Sequence, residues 1–246
     1  MSSLQFRFES APEGGYQGIF KASRLVDGAI AVQNAGSSNP GLYYQVGGSG
    51  LNGLFARGLD SARALASVNA ALVKAYDARF GVGAWRRDAA KPPAEARLTS
   101  LQVSLPRSPE AIDPEVSAMM YSVGPVLGPA GLTDPATYAA IYADAFAEIA
   151  RSHAEGHAIA GLRITMLSTG IYAARVADPP ALFAQAAACI VDGLLAATRA
   201  HPELAKVIVL INTEAHPSSK ERVAFARAAK ARGLQFDSSG FSVPLA

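Results

Sequence analysis

The sequence predicts an α/β fold: helices cover both faces of a mixed, mostly parallel sheet in a three-layer α/β/α sandwich. Three observations lead there. Strand-like runs alternate with helix-period segments, most regularly in the second half of the chain. Residues 206–211 (KVIVLI) are apolar at almost every position, as a strand covered on both faces must be. And 246 residues with 50% hydrophobic side chains can bury one large core or two modest ones. One domain over residues 1–246 is expected.

The elements follow in order. Residues 4–8 (LQFRF) alternate and read as a strand at a sheet edge. Gly14 and Gly15 make a turn, residues 16–23 a second strand, and residues 25–33 (LVDGAIAVQ) a buried one. Residues 34–41 are a loop of turn formers, followed by four glycines within residues 47–53. That density suits a backbone that turns sharply or meets a ligand. Residues 54–80 are helix-periodic, with Leu65, Val68, Leu72 and Tyr76 on one face, and Gly81 and Gly83 end them. Trp85-Arg86-Arg87 lies in a loop, with the Trp either packed on the core or paired with cations at the surface. Residues 97–105 and 117–123 are strand-like. Thr133-Asp134-Pro135 and Asp178-Pro179-Pro180 each start a helix by a capping side chain and an early proline. Ser218 and Glu221 fit a capping box for the last helix, and residues 234–241 read as a final edge strand.

Composition narrows the function. With 22 basic and 20 acidic residues, the charge of +2 argues for neither a nucleic-acid nor a membrane partner. The single cysteine, Cys189, excludes an intrachain disulfide framework and a cysteine-based metal cluster. No apolar run reaches the ~20 residues of a membrane span. The first ten residues lack a signal-peptide pattern. A cytoplasmic location is expected, with other export routes open. His153 and His157 have i, i+4 metal-ligand spacing, but no third ligand is near and a helix C-terminus favours imidazoles in any case. No metal or cofactor is expected.

Three loops follow strands: residues 34–53, residues 168–172 and residues 212–214. All are rich in glycine or amides and poor in acids. Ligands of open α/β sheets sit beyond the carboxyl ends of the strands, and converging N–H groups without carboxylates suit an anion, with a pyrophosphate the obvious candidate. The Ser168-Thr169-Gly170 turn alone carries little weight. Its position after an apolar strand and before a helix carries more.

Taken together, these stretches resemble the macrodomain family, whose α/β/α fold binds ADP-ribose. AIAVQNAGSS (29–38) looks like that family's strand ending in N-A-A-N. GGSGLNGLF (47–55) is similar to its glycine-rich loop, and AEARLTS (94–100) to its G-E-A-x-x-T element. MMYSVGP (119–125) resembles its I-H-T-V-G-P strand, and LSTGIYA (167–173) its second phosphate loop. VIVLINTE (207–214) resembles its last core strand. Order and spacing match over roughly residues 25–230.

The resemblance implies a cleft for ADP-ribose or an ADP-ribosylated protein. Gly47, Gly48, Ser49, Gly50 and Leu51 would cradle the distal ribose and phosphates. Ser168, Thr169, Gly170, Ile171 and Tyr172 would offer N–H groups to the pyrophosphate, with Tyr172 against the ribose. Asn212 would lie on the adenine side. Asn34 would help fix the first loop, and Asn34 and Asn52 are the candidates for any chemistry. The implied function is hydrolysis of ADP-ribose from modified side chains or of an acyl-ADP-ribose ester. The alternative is a non-catalytic nucleotide-binding module. The sequence departs from the family at several points. Gly18-Ile19-Phe20 lacks the G-D-I-T aspartate that reads adenine, Asn52 stands where hydrolases carry aspartate, and the acidic doublet of glycohydrolases is absent. An amide can position water but cannot take its proton. Asp27 and Glu214 are the nearby carboxylates. Tyr43 and Tyr44 either reshape the distal end of the cleft or pack in the core.

Overall fold

The computed structural model describes residues 3–10, 15–108, 111–213 and 219–245. Among these, seven strands form one sheet: β1 (Ser3–Ser10), β2 (Ile30–Ala35), β3 (Ser100–Ser104), β4 (Val116–Ser122), β5 (Gly161–Ile164), β6 (Ile208–Thr213) and β7 (Gly240–Pro244). Their order is β3-β4-β2-β5-β6-β1-β7. The five inner strands run parallel, and the edge strands β3 and β7 are antiparallel to their neighbours. β1 is therefore not an edge, because β7 covers it and Phe241 stacks on Phe6 at 4.6 Å between ring centroids.

The period of two sorts the strand side chains between two cores. Phe6, Ala31, Met120, Leu162, Ile164, Val209 and Ile211 pack against α4 (Pro135–Ala154), α5 (Pro179–Ala200) and α6 (Lys220–Ala231). Ile30, Val32, Met119 and Tyr121 face the other way, against α1 (Gly50–Ser61), α2 (Leu65–Phe80) and α3 (Ala84–Ala89). The result is the three-layer α/β/α sandwich with a mixed, mostly parallel sheet.

The two Asp-Pro starts hold: Asp134 accepts from Thr137 N–H and Asp178 from Ala181 N–H, each at 3.0 Å. α6 is capped instead by Ser219, which accepts from Arg222 N–H at 3.3 Å. Ser218, like Gly14 and Glu214, lies outside the described residues. α5 is long and apolar enough to cross a membrane by length and composition, which corrects the reading of the apolar runs. Here it packs between α4 and α6, with Leu182, Ala186, Ile190 and Leu194 in the core.

Five other expectations change. Within residues 16–23 a 3-10 turn, Gly15–Phe20, replaces the strand. Phe20 is buried there with its ring 5.1 Å from that of Phe55. The 25–33 run becomes a strand only from Ile30, since Gly28 takes φ 120 and breaks the extended chain. The long helix over residues 54–80 is two, split where Arg63 adopts a left-handed φ of 53. α3 carries Trp85, whose indole N–H donates to Tyr43 O at 2.8 Å, so this tryptophan anchors core-side backbone. The final strand begins at Gly240 rather than at residue 234.

Candidate functional site

A cleft of about 1070 Å³ opens at the carboxyl ends of β2, β5 and β6. It lies where the chain's crossings diverge. β2 leads into α1 on one face of the sheet and β5 into α5 on the other, so the loops part and leave a crevice.

The first wall is the 36–53 segment, held from beneath by Tyr121. This buried hydroxyl accepts from Ser37 N–H at 3.1 Å and donates to Gln45 O at 2.7 Å, gathering both ends of the loop. Burial raises its pKa far above the tyrosine norm, so it stays a neutral donor. Gly36 makes room for it: a Cβ there would lie 2.1 Å from the Tyr121 ring. Asn69 clamps Val46, accepting from its N–H at 2.7 Å. Tyr43 and Tyr44 are buried in the core under this loop, with Tyr44 Oη donating to Thr99 O at 2.8 Å, so they pack rather than line the cleft.

The loop ends in the N-terminus of α1. Gly48 (φ 75) and Gly50 (φ 61) take left-handed conformations, and the first helical bond runs from Gly53 N–H to Ser49 O. Gly50, Leu51 and Asn52 therefore carry N–H groups without helical partners, at the positive end of a 12-residue helix. No side chain caps them. Arg57, exposed on the same helix, also lines the cleft.

The second wall is the 165–172 segment, built on side chains from other elements. Gln33 accepts from Thr165 N–H at 2.9 Å through Oε1. From α4, Tyr142 Oη accepts from Leu167 N–H (2.9 Å) and donates to Thr165 O (2.6 Å), while Tyr138 Oη donates to Leu167 O at 2.7 Å. Ser168 then turns left-handed (φ 61), and its buried Oγ has no partner. Gly124 leaves space for it, since a Cβ there would come within 2.5 Å of that oxygen. Among the described residues, the N–H groups of Ser168 and Gly170 meet no acceptor. Ile171 opens a 3-10 turn, Ile171–Ala173. Tyr172 Oη accepts from Ser38 N–H at 3.1 Å and donates to Ser37 Oγ at 3.3 Å, so it bridges the two walls.

The floor at the β5–β6 end carries Arg163 and Asn212 beside Ile19 and Ile211. Arg163 makes a bidentate ion pair with Glu9 of β1 (2.7 and 3.0 Å) and donates to Ile19 O at 2.6 Å. An acid is thus present at the end of β1 that the Gly18-Ile19-Phe20 reading missed, but it is neutralised by Arg163. The Asn212 Oδ1 is buried without a partner. Glu221 of α6 also lines this end, and it is the carboxylate that the lining contains among the described residues. Asp27, which precedes β2, sits exposed at the opposite end of the sheet.

Gly47, Gly48, Ser49, Gly50, Leu51, Asn52, Ser168, Thr169, Gly170, Tyr172 and Asn212 thus converge on one cleft. Asn34 does not face it. Fully buried behind the loop, it donates from Nδ2 to Asn52 Oδ1 at 2.8 Å, and Asn52 Nδ2 donates to Gln45 O at 3.1 Å. The two amides therefore splint the wall in this structure. Missed altogether were the supports Gln33, Tyr121, Tyr138 and Tyr142 and the lining residues Arg57 and Arg163. A polar tip on an otherwise apolar face was the available signal. His153 Nε2 meets the Ile159 backbone at 3.0 Å, His157 lies beyond the end of α4, and no cluster of metal-ligating side chains occurs among the described residues.

No protein-family model matches the sequence, and no curated protein matches it. Solved structures do. A Trypanosoma brucei macrodomain in complex with ADP superposes with a TM-score of 0.50 at 13% identity, over 92% of this chain and 69% of that one. An Oceanobacillus iheyensis macrodomain with MES bound gives 0.49 at 12%, over 87% of each chain. A mutant poly(ADP-ribose) glycohydrolase from Thermomonospora curvata gives 0.47 at 17%, over 91% of this chain and 79% of that one. At such identities the first of these likenesses speaks for the fold alone, and it agrees with the strand order and layers described above: the chain has the macrodomain fold.

Proposed function

We propose that the chain binds ADP-ribose, free or attached to a protein, in the cleft between the two loops. One observation carries this reading. The N–H groups at the α1 N-terminus and those of Ser168 and Gly170 line the same cavity without protein acceptors, and Arg57 stands beside them. Unpaired backbone donors at a helix N-terminus select an anion, and two such sets in one cleft suit a diphosphate. The volume is ample for a nucleotide. Hydrolysis is the less supported reading. It needs a group that takes a proton from water, whereas Asn34 and Asn52 are amides bonded to each other.

Calorimetry with ADP-ribose tests the proposal, with Gly170→Glu as the key variant. Gly170 is exposed, has an ordinary φ, and a Cβ there meets nothing within 4 Å, so the fold tolerates the change. The new carboxylate faces the phosphates, and at least about a tenfold loss of affinity is expected, roughly 1.4 kcal/mol. Unchanged affinity would place the ligand elsewhere. Release of ADP-ribose from a glutamate-linked substrate at high protein concentration would instead establish the hydrolytic reading.

A further inference from the structure

A line of buried polar side chains runs across the sheet beneath α4, from the second wall of the cleft to the β3 edge. It consists of Gln33 on β2, Ser122 on β4 and Ser100 on β3. Ser100 and Ser122 are register partners, and Gln33 follows Ala31 by two residues, on the face that packs against α4. The line begins at a loop amide and ends on a helix carbonyl. Thr165 N–H donates to Gln33 Oε1 at 2.9 Å, and Gln33 Nε2 donates to Ser122 Oγ at 2.9 Å. The two serine hydroxyls are 2.7 Å apart, and Ser100 Oγ donates to Ile141 O at 2.8 Å.

The two ends fix the sense of every link. A backbone N–H can only donate and a backbone carbonyl can only accept. Ser100 has one proton and spends it on Ile141 O, so Ser122 must donate to Ser100, and Gln33 must turn its amide nitrogen to Ser122. That leaves Oε1 for Thr165. Reversing the Gln33 amide would set its nitrogen against the Thr165 N–H. It would also set Oε1 against a hydroxyl whose proton is used elsewhere, so both bonds would break at buried atoms. The network then closes on itself, because Tyr142, next to Ile141 on α4, donates to Thr165 O at 2.6 Å. Thr165 Oγ1 adds a bond to Gln33 O at 3.0 Å, and Thr169 Oγ1 ties the Ser168 turn to Met166 O at 2.7 Å.

We propose that Ser100 and Ser122 are positioning residues for the second wall of the cleft. Neither lines the cavity. They act through Gln33: they orient its amide, the amide holds Thr165, and the held backbone aims the N–H groups of Ser168 and Gly170 into the cleft. For ligand affinity this inference rests on the nucleotide-binding reading above. For the backbone of the wall it stands on the hydrogen bonds alone.

The test uses Ser122→Ala, Gln33→Met and the double variant, each in the full chain. Calorimetry with ADP-ribose should show affinity weakened about threefold or more by Ser122→Ala and about tenfold by Gln33→Met. In the Gln33→Met background, Ser122→Ala should change affinity by less than about 1.5-fold, since the group it acts through is gone. Hydrogen exchange of the Thr165 amide, measured against that of Val209 in β6, should rise about tenfold in Ser122→Ala. Serines that serve stability alone predict a lower urea midpoint, with affinity and the Thr165-to-Val209 exchange ratio unchanged, and that result overturns the inference. So do effects of Ser122→Ala and Gln33→Met that multiply in the double variant. Ser100→Ala interrupts the same line one link further from the cleft and takes the place of Ser122→Ala if that variant does not fold. No heat from the native protein removes the nucleotide-binding reading, and the exchange ratio then decides the inference by itself.

Discussion

At the scale of single residues, polar groups placed under loops decide the shape of the cleft. Asn34 shows how. Its amide neither touches the cavity nor reaches solvent; it orients Asn52, which in turn holds the Gln45 carbonyl. Asn34→Ala leaves Asn52 Oδ1 without its donor in a buried setting, which costs about 1–3 kcal/mol. Urea unfolding should show that loss as a lower midpoint with an unchanged slope. A catalytic role would predict the reverse, lost turnover with the midpoint preserved. The glycines act by absence. Gly36 and Gly124 leave the volumes that the Tyr121 ring and the Ser168 hydroxyl occupy, which is why side chains at either position would push a wall of the cleft out of place.

At the scale of elements, α4 does more than cover a sheet face. Tyr138 and Tyr142, one helical turn apart, reach the backbone of residues 165–167 with both hydroxyls and fix the exit of β5. Tyr142→Phe removes two of those bonds and leaves the packing in place. ADP-ribose affinity is expected to fall by about three- to tenfold and stability by about 1–3 kcal/mol, read by calorimetry and by urea unfolding on the same sample. A fall in stability with affinity untouched would show that the loop keeps its shape without α4. Both tyrosines are buried on the core face of α4. What they do at their hydroxyl ends depends on a loop more than 20 residues away in sequence, as the separations of 29, 23 and 25 residues show.

At the scale of the molecule, the Glu9–Arg163 pair ties β1, which starts the chain, to β5 across β6. Both side chains are buried, so the pair is a fastening whose halves cannot be removed singly without cost. Arg163→Met should destabilise by about 3–5 kcal/mol, because it takes the cation from a buried carboxylate. The double variant with Glu9→Met should recover most of that loss, and thermal unfolding of the native protein and the two variants checks the order. A double variant no more stable than the single one would mean that the cost lies in the Ile19 contact instead.

Periodicity gives the order of strands and helices apart from the 3-10 segment Gly15–Phe20, the break between α1 and α2 and the short α3, because burial on one face or two leaves a pattern of two or 3.6 residues in the sequence. It also places the loops that line the cleft, since glycine clusters and capping residues mark where a chain turns and exposes N–H groups. The breaks at Gly28 and Arg63, the core position of Tyr43 and Tyr44, and the pairing of Asn34 with Asn52 were decided only by tertiary structure. So was the fate of the acid at the end of β1. Glu9 is an ordinary strand-end carboxylate in the sequence, and only the sheet brings Arg163, 154 residues on, within 2.7 Å of it. Each of these outcomes depends on which distant group arrives as a partner, and a local pattern carries no record of that.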